Sequence, residues 1–233
     1  SLIIDTESFK VAMNDWQKIW RNADAVCFDV DSTLITSEAI DELAEFRGVG
    51  KEVAELTTKA MGDGVSFRES LYQRLSLIKP SKDVLDTFIN KNPFELSPGV
   101  VDLIEILKIR NVDIYLISGG FRPIINAIAN SLNIPTENVF ANEILFSKNG
   151  EYEGFDEEEP TSSSGGKKVV IEKLIEKYNY NNIVMIGDGM TDLEAFPSAR
   201  LFIGYGGNKL RENVRMLAPH YVMHFNELID AFN

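Results

Sequence analysis

Two aspartates, Asp29 and Asp31, follow the apolar run Ala25-Val26-Cys27-Phe28. On extended backbone, residues two apart project to the same side, so the pair can act on one bound group. Ser32 and Thr33 follow at once. A second apolar run, 112–117, ends in Ser118-Gly119-Gly120, and a third, 183–186, ends in Gly187-Asp188-Gly189 with Asp192 four residues beyond Asp188. Lys167 stands just before another helical pattern. Any one of these acids could be a helix cap. Together they bring carboxylates, a hydroxyl and a lysine to the carboxyl end of several buried strands, where open α/β sheets bind their ligands.

That set suits phosphoryl transfer. Phosphate monoesters repel nucleophiles by their own charge, and their uncatalysed hydrolysis is among the slowest reactions that enzymes accelerate. Catalysis needs a cation on the phosphoryl oxygens, donors to hold them and an in-line nucleophile. Carboxylates with water and phosphate oxygens make an octahedral Mg²⁺ site. An aspartate can be the nucleophile, and a second can protonate the leaving alkoxide and then take a proton from water.

Three apolar runs, each followed by helical periodicity, predict a parallel sheet flanked by helices, Rossmann-like in plan. Residues 1 to about 22 read as a helix, through Phe9, Ala12, Trp16, Ile19 and Trp20. Between the first and second strands, residues 38–95 carry four helical patterns and no strand, more than a simple crossover needs. The spacing predicts an inserted helical cap over 38–95, with core segments 1–37 and 96–233. Asn149-Gly150 predicts a small β-hairpin over about 143–156. Residues 112–117 read as a strand, and a further helix is expected to begin at 193–196. Gly204 to Gly207 follow another short apolar run but lack a dinucleotide-binding pattern.

The chain has 233 residues, a formal net charge of -13 and 44% hydrophobic residues. The acidic balance argues against a nucleic-acid partner, which needs clustered Lys and Arg. No stretch is long and apolar enough to suggest a membrane partner, and no signal-peptide pattern is seen, so a cytoplasmic location is expected. Cys27 is the single cysteine. It lacks the arginine six residues on that a cysteine-based phosphatase would use, so it reads as packing. His220 and His224 have metal-ligand spacing on a helix, but Pro219, Tyr221 and Val222 argue against helix there.

Asp29-Val30-Asp31-Ser32-Thr33, Ser118-Gly119-Gly120, Lys167 and Gly187-Asp188-Gly189-Met190-Thr191-Asp192 resemble the ordered motifs of the haloacid dehalogenase superfamily of phosphatases. Ile40-Asp41-Glu42-Leu43-Ala44, Val139-Phe140-Ala141-Asn142 and Asn149-Gly150-Glu151-Tyr152 extend the resemblance to its branch acting on phosphoserine, from about residue 23 onward. The resemblance implies Asp29 as nucleophile and Asp31 as general acid and base. It implies Mg²⁺ held by the Asp29 carboxylate, the Asp31 carbonyl and Asp188. Ser118 and Lys167 would grip the phosphoryl group, Gly119 and Gly120 would offer N–H donors, and Thr191 would sit beside the phosphate. Asp192 would orient Lys167 or the metal shell. Glu38 is expected near a substrate ammonium and Arg74 near a substrate carboxylate, with Met61, Gly62 and Phe67 lining and closing the pocket. Asp63, a charge where a small or neutral residue is expected, should face solvent.

O-phospho-L-serine is therefore the expected substrate, with a homodimer expected only by analogy. Two other classes stay open at this point: a related phosphatase or phosphotransferase for another small phosphorylated amine or amino acid, and a non-catalytic ligand-binding or scaffold protein that retains the fold. Arg68 competes with Arg74 for the substrate carboxylate. Its neighbour Phe67 cannot share its helical face, so an inward Phe67 sends Arg68 away.

Overall fold

A computed structural model describes residues 5–62 and 64–233. The apolar run at 25–28 forms β1 (Ala25–Phe28), buried along its whole length. A strand buried on both faces needs a paired strand at each edge and cover above and below. β2 (Asp113–Phe121) and β6 (Ile183–Gly187) supply the edges, both parallel to β1. β3 (Val139–Asn142), β7 (Leu201–Tyr205) and β8 (His220–Val222) complete a six-stranded parallel sheet in the order β3-β2-β1-β6-β7-β8. β4 (Ile144–Phe146) and β5 (Tyr152–Phe155) form the separate antiparallel hairpin.

Cover comes from helices along the chain. α1 (Thr6–Arg21) opens on Asp5, whose carboxylate accepts the Glu7 N–H. It buries Ala12, Ile19 and Trp20. Four helices then fill residues 39–91: α2 (Ala39–Phe46), α3 (Gly50–Gly62), α4 (Phe67–Ile78) and α5 (Lys82–Lys91). Ser66 and Ser81 cap α4 and α5 through their hydroxyls. α6 (Val100–Ile109), α7 (Arg122–Ser131) and α8 (Gly166–Tyr178) follow, then the short α9 (Met190–Leu193), α10 (Glu212–Leu217) and α11 (Asn226–Asp230).

Register brings the strand ends level. Phe28 pairs with Leu116 on one side and Ile186 on the other, and Gly187 with Gly204. The residues just past these positions therefore share one edge of the sheet. The hinge into α2–α5 is a single antiparallel bridge, Ile35 to Leu96, with the Ser97 hydroxyl donating to Thr33 O at 2.6 Å. Asn208 secures it from the loop after β7, its Nδ2 donating to Ser97 Oγ at 2.8 Å.

Two local expectations need correction, and two strands were not expected. β2 continues through Ser118-Gly119-Gly120 to Phe121 instead of stopping at Ile117, with its register to β3 broken between Ile117 and Phe121. Such a bulge re-aims backbone without ending pairing. α9 begins at Met190 and ends at Leu193, because the Asp192 carboxylate accepts the Gly189 N–H (3.0 Å) and turns the chain directly off β6. β3 and β8 are strands with no distinct sequence signal. Both are edge strands of four and three residues, where pairing with one neighbour shapes a run too short for periodicity.

Candidate active site

After Phe28 the chain makes one wide turn. The Ile35 N–H reaches Val30 O at 3.1 Å, and Ser32 sits at φ 56°. That left-handed conformation costs a non-glycine residue about 1–2 kcal/mol. It is held by the Ser32 N–H on Ser37 O (3.0 Å) and the Ser32 hydroxyl on Glu38 Oε1 (2.9 Å). The turn folds Thr33 back, so that its hydroxyl lies 3.3 Å from Asp29 Oδ2 and 3.1 Å from Asp188 Oδ1. Asp31 Oδ1 accepts the Ala39 N–H at 2.8 Å, which ties this carboxyl to the first turn of α2. Its Oδ2 faces Gly120: a Cβ on that glycine would lie 3.6 Å from Asp31 Oδ2 and 3.1 Å from Ser118 Oγ.

Lys167 enters from the start of α8. Its ammonium donates to Asp29 Oδ1 at 2.7 Å and to Asp192 Oδ1 at 2.6 Å, with all three side chains buried. Burial alone would favour the neutral amine. The Asp192 and Asp29 carboxylates outweigh it and hold the lysine well above its ordinary range. The acids move the other way. Burial, with the charge of Asp192 next, pushes Asp29 up to about 7 against Lys167. Burial and Glu38 push Asp31 up to about 7. Burial and Asp29 push Asp188 up to about 7 against the Arg211 guanidinium. Asp192 is also raised by burial, with Lys167 opposing.

These shifts have one origin. Four carboxylates gather here, and the two cations bonded to them are Lys167 and Arg211, whose Nε lies 3.1 Å from Asp188 Oδ2. The group is short of positive charge by about the amount a divalent cation carries. Ligand oxygens of Asp29, Asp188 and Asp192 lie within 4.8 Å of one another. All are hard oxygen donors of the kind that suit Mg²⁺ or Ca²⁺ rather than a soft metal. The residues present thus fit an oxygen-ligated divalent ion.

Above the carboxylates lies a cleft of about 210 Å³. It is smaller than the roughly 300–1,000 Å³ of drug-sized pockets and suits one small metabolite. Asp29, Asp31, Glu38, Phe67, Arg74, Gly119, Gly120, Lys167, Asp188, Thr191 and Asp192 line it, so the fold brings together eleven of the residues singled out from the sequence. Ser118 is fully buried behind the wall, its Oγ accepting the Gly120 N–H at 2.9 Å. Met61 and Gly62 stand outside the cleft at the exposed end of α3, with Met61 79% exposed. Asp63 lies outside the described residues.

Arg74 hydrogen-bonds Ser70 O of its own helix through Nε at 3.3 Å. Among the described residues neither Nη has a protein acceptor, which leaves both for a ligand. Glu38, also in the lining, receives Ser32 Oγ and, at 3.2 Å, Lys209 Nζ on its Oε1.

Sequence reasoning missed Arg211, Thr161 and Ser163 in this wall. The signal for Arg211 was weak: a basic residue six positions past the end of β7, at the same sheet edge. Thr161 acts through Asn142, which is fully buried. Thr161 Oγ donates to Asn142 Oδ1 (2.8 Å), and Asn142 Nδ2 donates to Gly119 O (2.9 Å). Nothing in the local pattern marks that cross-chain pair.

Gly166 is set against this loop so closely that a Cβ there would lie 1.7 Å from Pro160 O. The backbone of Gly166→Ala must shift and carry Lys167 with it. A displacement near 1 Å in a positioning group can cost roughly 10²-fold in rate. The hydrolytic kcat/KM of Gly166→Ala is expected to fall by about that factor, with the circular dichroism spectrum of the folded protein retained.

Residues 23–200 match the family model for haloacid dehalogenase-like hydrolases. A phosphoserine phosphatase of Mus musculus is 51% identical over 219 residues, covering 94% of this chain and 97% of that protein. A chloroplastic phosphoserine phosphatase of Arabidopsis thaliana is 51% identical over 217 residues, 92% of this chain and 74% of that one. A solved structure of a phospho-aspartyl intermediate analogue of phosphoserine phosphatase superposes with a TM-score of 0.77 at 27% identity, covering 91% of this chain and 99% of that one. The chain belongs to the haloacid dehalogenase-like hydrolases, and within them to the phosphoserine phosphatases.

Proposed function

We propose that the protein hydrolyses O-phospho-L-serine to L-serine and phosphate, the last step of L-serine biosynthesis, with Mg²⁺ as cofactor. The observation that supports the substrate assignment is that Glu38 and Arg74 both line a small cleft that also holds Asp29 and Lys167. Glu38 suits an ammonium, Arg74 a carboxylate, and Lys167 a phosphoryl group.

Helices α2–α5 serve as the cap of this site. The substrate phosphoryl oxygens would lie against the Lys167 ammonium and the Gly119 and Gly120 backbone, with Thr191 alongside and Ser118 supporting that wall from behind. Asp29, the Asp31 carbonyl and Asp188 would hold a divalent ion, which when bound would supply further positive charge to those oxygens. Asp29 attacks phosphorus through a carboxylate oxygen, and the bond from phosphorus to the serine oxygen breaks. The leaving alkoxide takes its proton from Asp31. A carboxyl held near 7 can give and accept protons at neutral pH. Water then attacks the phosphorus of the acyl phosphate, Asp31 takes its proton, and phosphate leaves with Asp29 restored. Thr33 and Lys167 fix the Asp29 carboxylate between these steps. The cap excludes water from the first step.

The decisive assay is phosphate release from O-phospho-L-serine beside phosphoethanolamine and p-nitrophenyl phosphate, with and without Mg²⁺. A preference for phosphoserine supports the reading; equal efficiency on all three removes the Glu38 and Arg74 clamp. Arg74→Ala deletes two charge-assisted hydrogen bonds, each about 1.5–3 kcal/mol. A loss of roughly 150-fold or more in kcat/KM is expected on phosphoserine. On p-nitrophenyl phosphate, which has no carboxylate, the change is expected to stay within about threefold. Equal losses on both would take Arg74 out of substrate recognition.

A further inference from the structure

Apart from the Ser37 hydroxyl on Glu42 Oε2 (3.0 Å), which lies at the hinge itself, residues 40–94 make two side-chain hydrogen bonds to the sheet-bearing part of the protein among the described residues, and both come from Arg68. Its Nη2 donates to Glu157 O at 2.8 Å and to Ser162 Oγ at 2.9 Å. One backbone bond, Lys82 N–H to Gly150 O at 2.9 Å, is the other link of this kind.

The two atoms that Arg68 holds belong to the loop 156–165, which leads straight into Lys167. Ser162 is fully buried, and its hydroxyl also donates to Glu159 O at 2.8 Å, so its position is set by the loop itself. The next residue back, Thr161, begins the chain of bonds through Asn142 to Gly119 O. Phe67, the neighbour of Arg68, rests on Gly119: a Cβ there would come within 2.8 Å of the Phe67 ring. The first turn of α4 thus touches both ends of one buried hydrogen-bond chain. Phe67 meets the end at β2, and Arg68 meets the end at the Lys167 loop.

We propose that Arg68 is the latch of the helical cap, a positioning residue that holds α4 closed against the loop presenting Lys167. This rests on the reading of the cleft as a phosphoserine site under a cap. The latch is satisfied at Nη2 only, since Arg68 Nε is buried without an acceptor. A contact with one orphaned donor suits a closure that must also release.

A weaker latch lowers the closed fraction, and apparent affinity falls by that fraction. Arg68→Met is expected to raise KM for O-phospho-L-serine about tenfold and to change kcat by less than about threefold. Arg68→Lys, which keeps one donor, should recover part of that loss.

The independent readout is a distance. Spin labels on Glu55→Cys in α3 and Glu176→Cys in α8 report cap opening by pulsed electron resonance, with Cys27 buried and unlabelled. Arg68→Met should add a longer distance that the parent lacks in Mg²⁺ and inorganic phosphate. Unchanged distances overturn the latch, and they do so even if KM rises, because Arg68 would then act by touching substrate. If Arg68→Met fails to fold, Ser162→Ala, which removes one of the two acceptors, must lengthen the same distance or the proposal fails. Should the parent not hydrolyse phosphoserine, the substrate reading is lost while the distance measurement still decides the latch.

Discussion

Asp29→Asn is expected to lose roughly 10⁴-fold or more in turnover, the scale seen when a nucleophile that works as part of a unit is removed. The amide is isosteric and keeps an oxygen for the Lys167 ammonium, so binding geometry survives while the attacking electron pair does not. Stability should not follow activity. Asp29 is buried in a group short of positive charge, and its pKa is held up to about 7, so above that pH its charge works against folding. Lys167 keeps Asp192 at 2.6 Å as a counter-charge in the variant. Metal-free Asp29→Asn should therefore melt no lower than the parent at pH 8. Substantial residual hydrolysis would remove Asp29 from the nucleophile role, and a collapsed melting temperature would recast it as a structural residue.

Metal removal should produce the second large effect, and it should depend on pH. Chelation is expected to abolish phosphate release. In the metal-free protein Asp29, Asp31 and Asp188 titrate near 7 when folded, against 3.8 for an ordinary aspartate. Between those values the folded state holds protons that the unfolded chain has released. Their contribution to stability is thus complete below about pH 4 and is lost as pH rises toward 7. A divalent cation binds the ionised carboxylates and reverses this loss, so its effect should be small at pH 5 and large at pH 8. At a hundredfold excess over Kd the gain is about 2.7 kcal/mol. That corresponds to roughly 5–10 °C in Tm for a chain of this size. Differential scanning calorimetry with EDTA and with MgCl₂ at both pH values checks the sign. An equal Mg²⁺ shift at pH 5 and pH 8 would mean that these carboxylates do not hold the ion.

The strands that carry Ser118 and lead into Asp29 and Asp188 were legible because a doubly buried strand has no polar residue to spare. An acid at its end therefore stands out. The hairpin was legible from Asn149-Gly150, with Gly150 at φ +81°, and the four helices of 38–95 from their periodicity. The geometry of Arg68 was legible too. An inward Phe67 forces its neighbour off that face, and Arg68 does point to Glu157 and Ser162 instead of into the cleft. What stayed hidden depends on partners far away in the chain. Asn142 reads as the polar end of a short edge strand until Thr161 and Gly119 are placed against it. Arg211 reads as a loop cation until Asp188 is 3.1 Å away. Helix α1 gave its period but not its purpose. Trp20 donates to Leu228 O at 2.9 Å and Arg21 to Ala231 O at 2.6 Å, so α1 clasps the last helix.

The strand order β3-β2-β1-β6-β7-β8 also sets when this enzyme can begin to exist. β1 is made early, yet its neighbours are Asp113–Phe121 and Ile183–Gly187, about 90 and 160 residues later. A nascent chain shorter than that second partner exposes a fully apolar strand with an open edge, the kind of segment that invites chaperones or aggregation. It also carries Asp29 without Asp188, its neighbour in the acidic cluster. Contacts this distant in sequence make assembly slow, and they make it conditional: the site forms only once most of the polypeptide has been made.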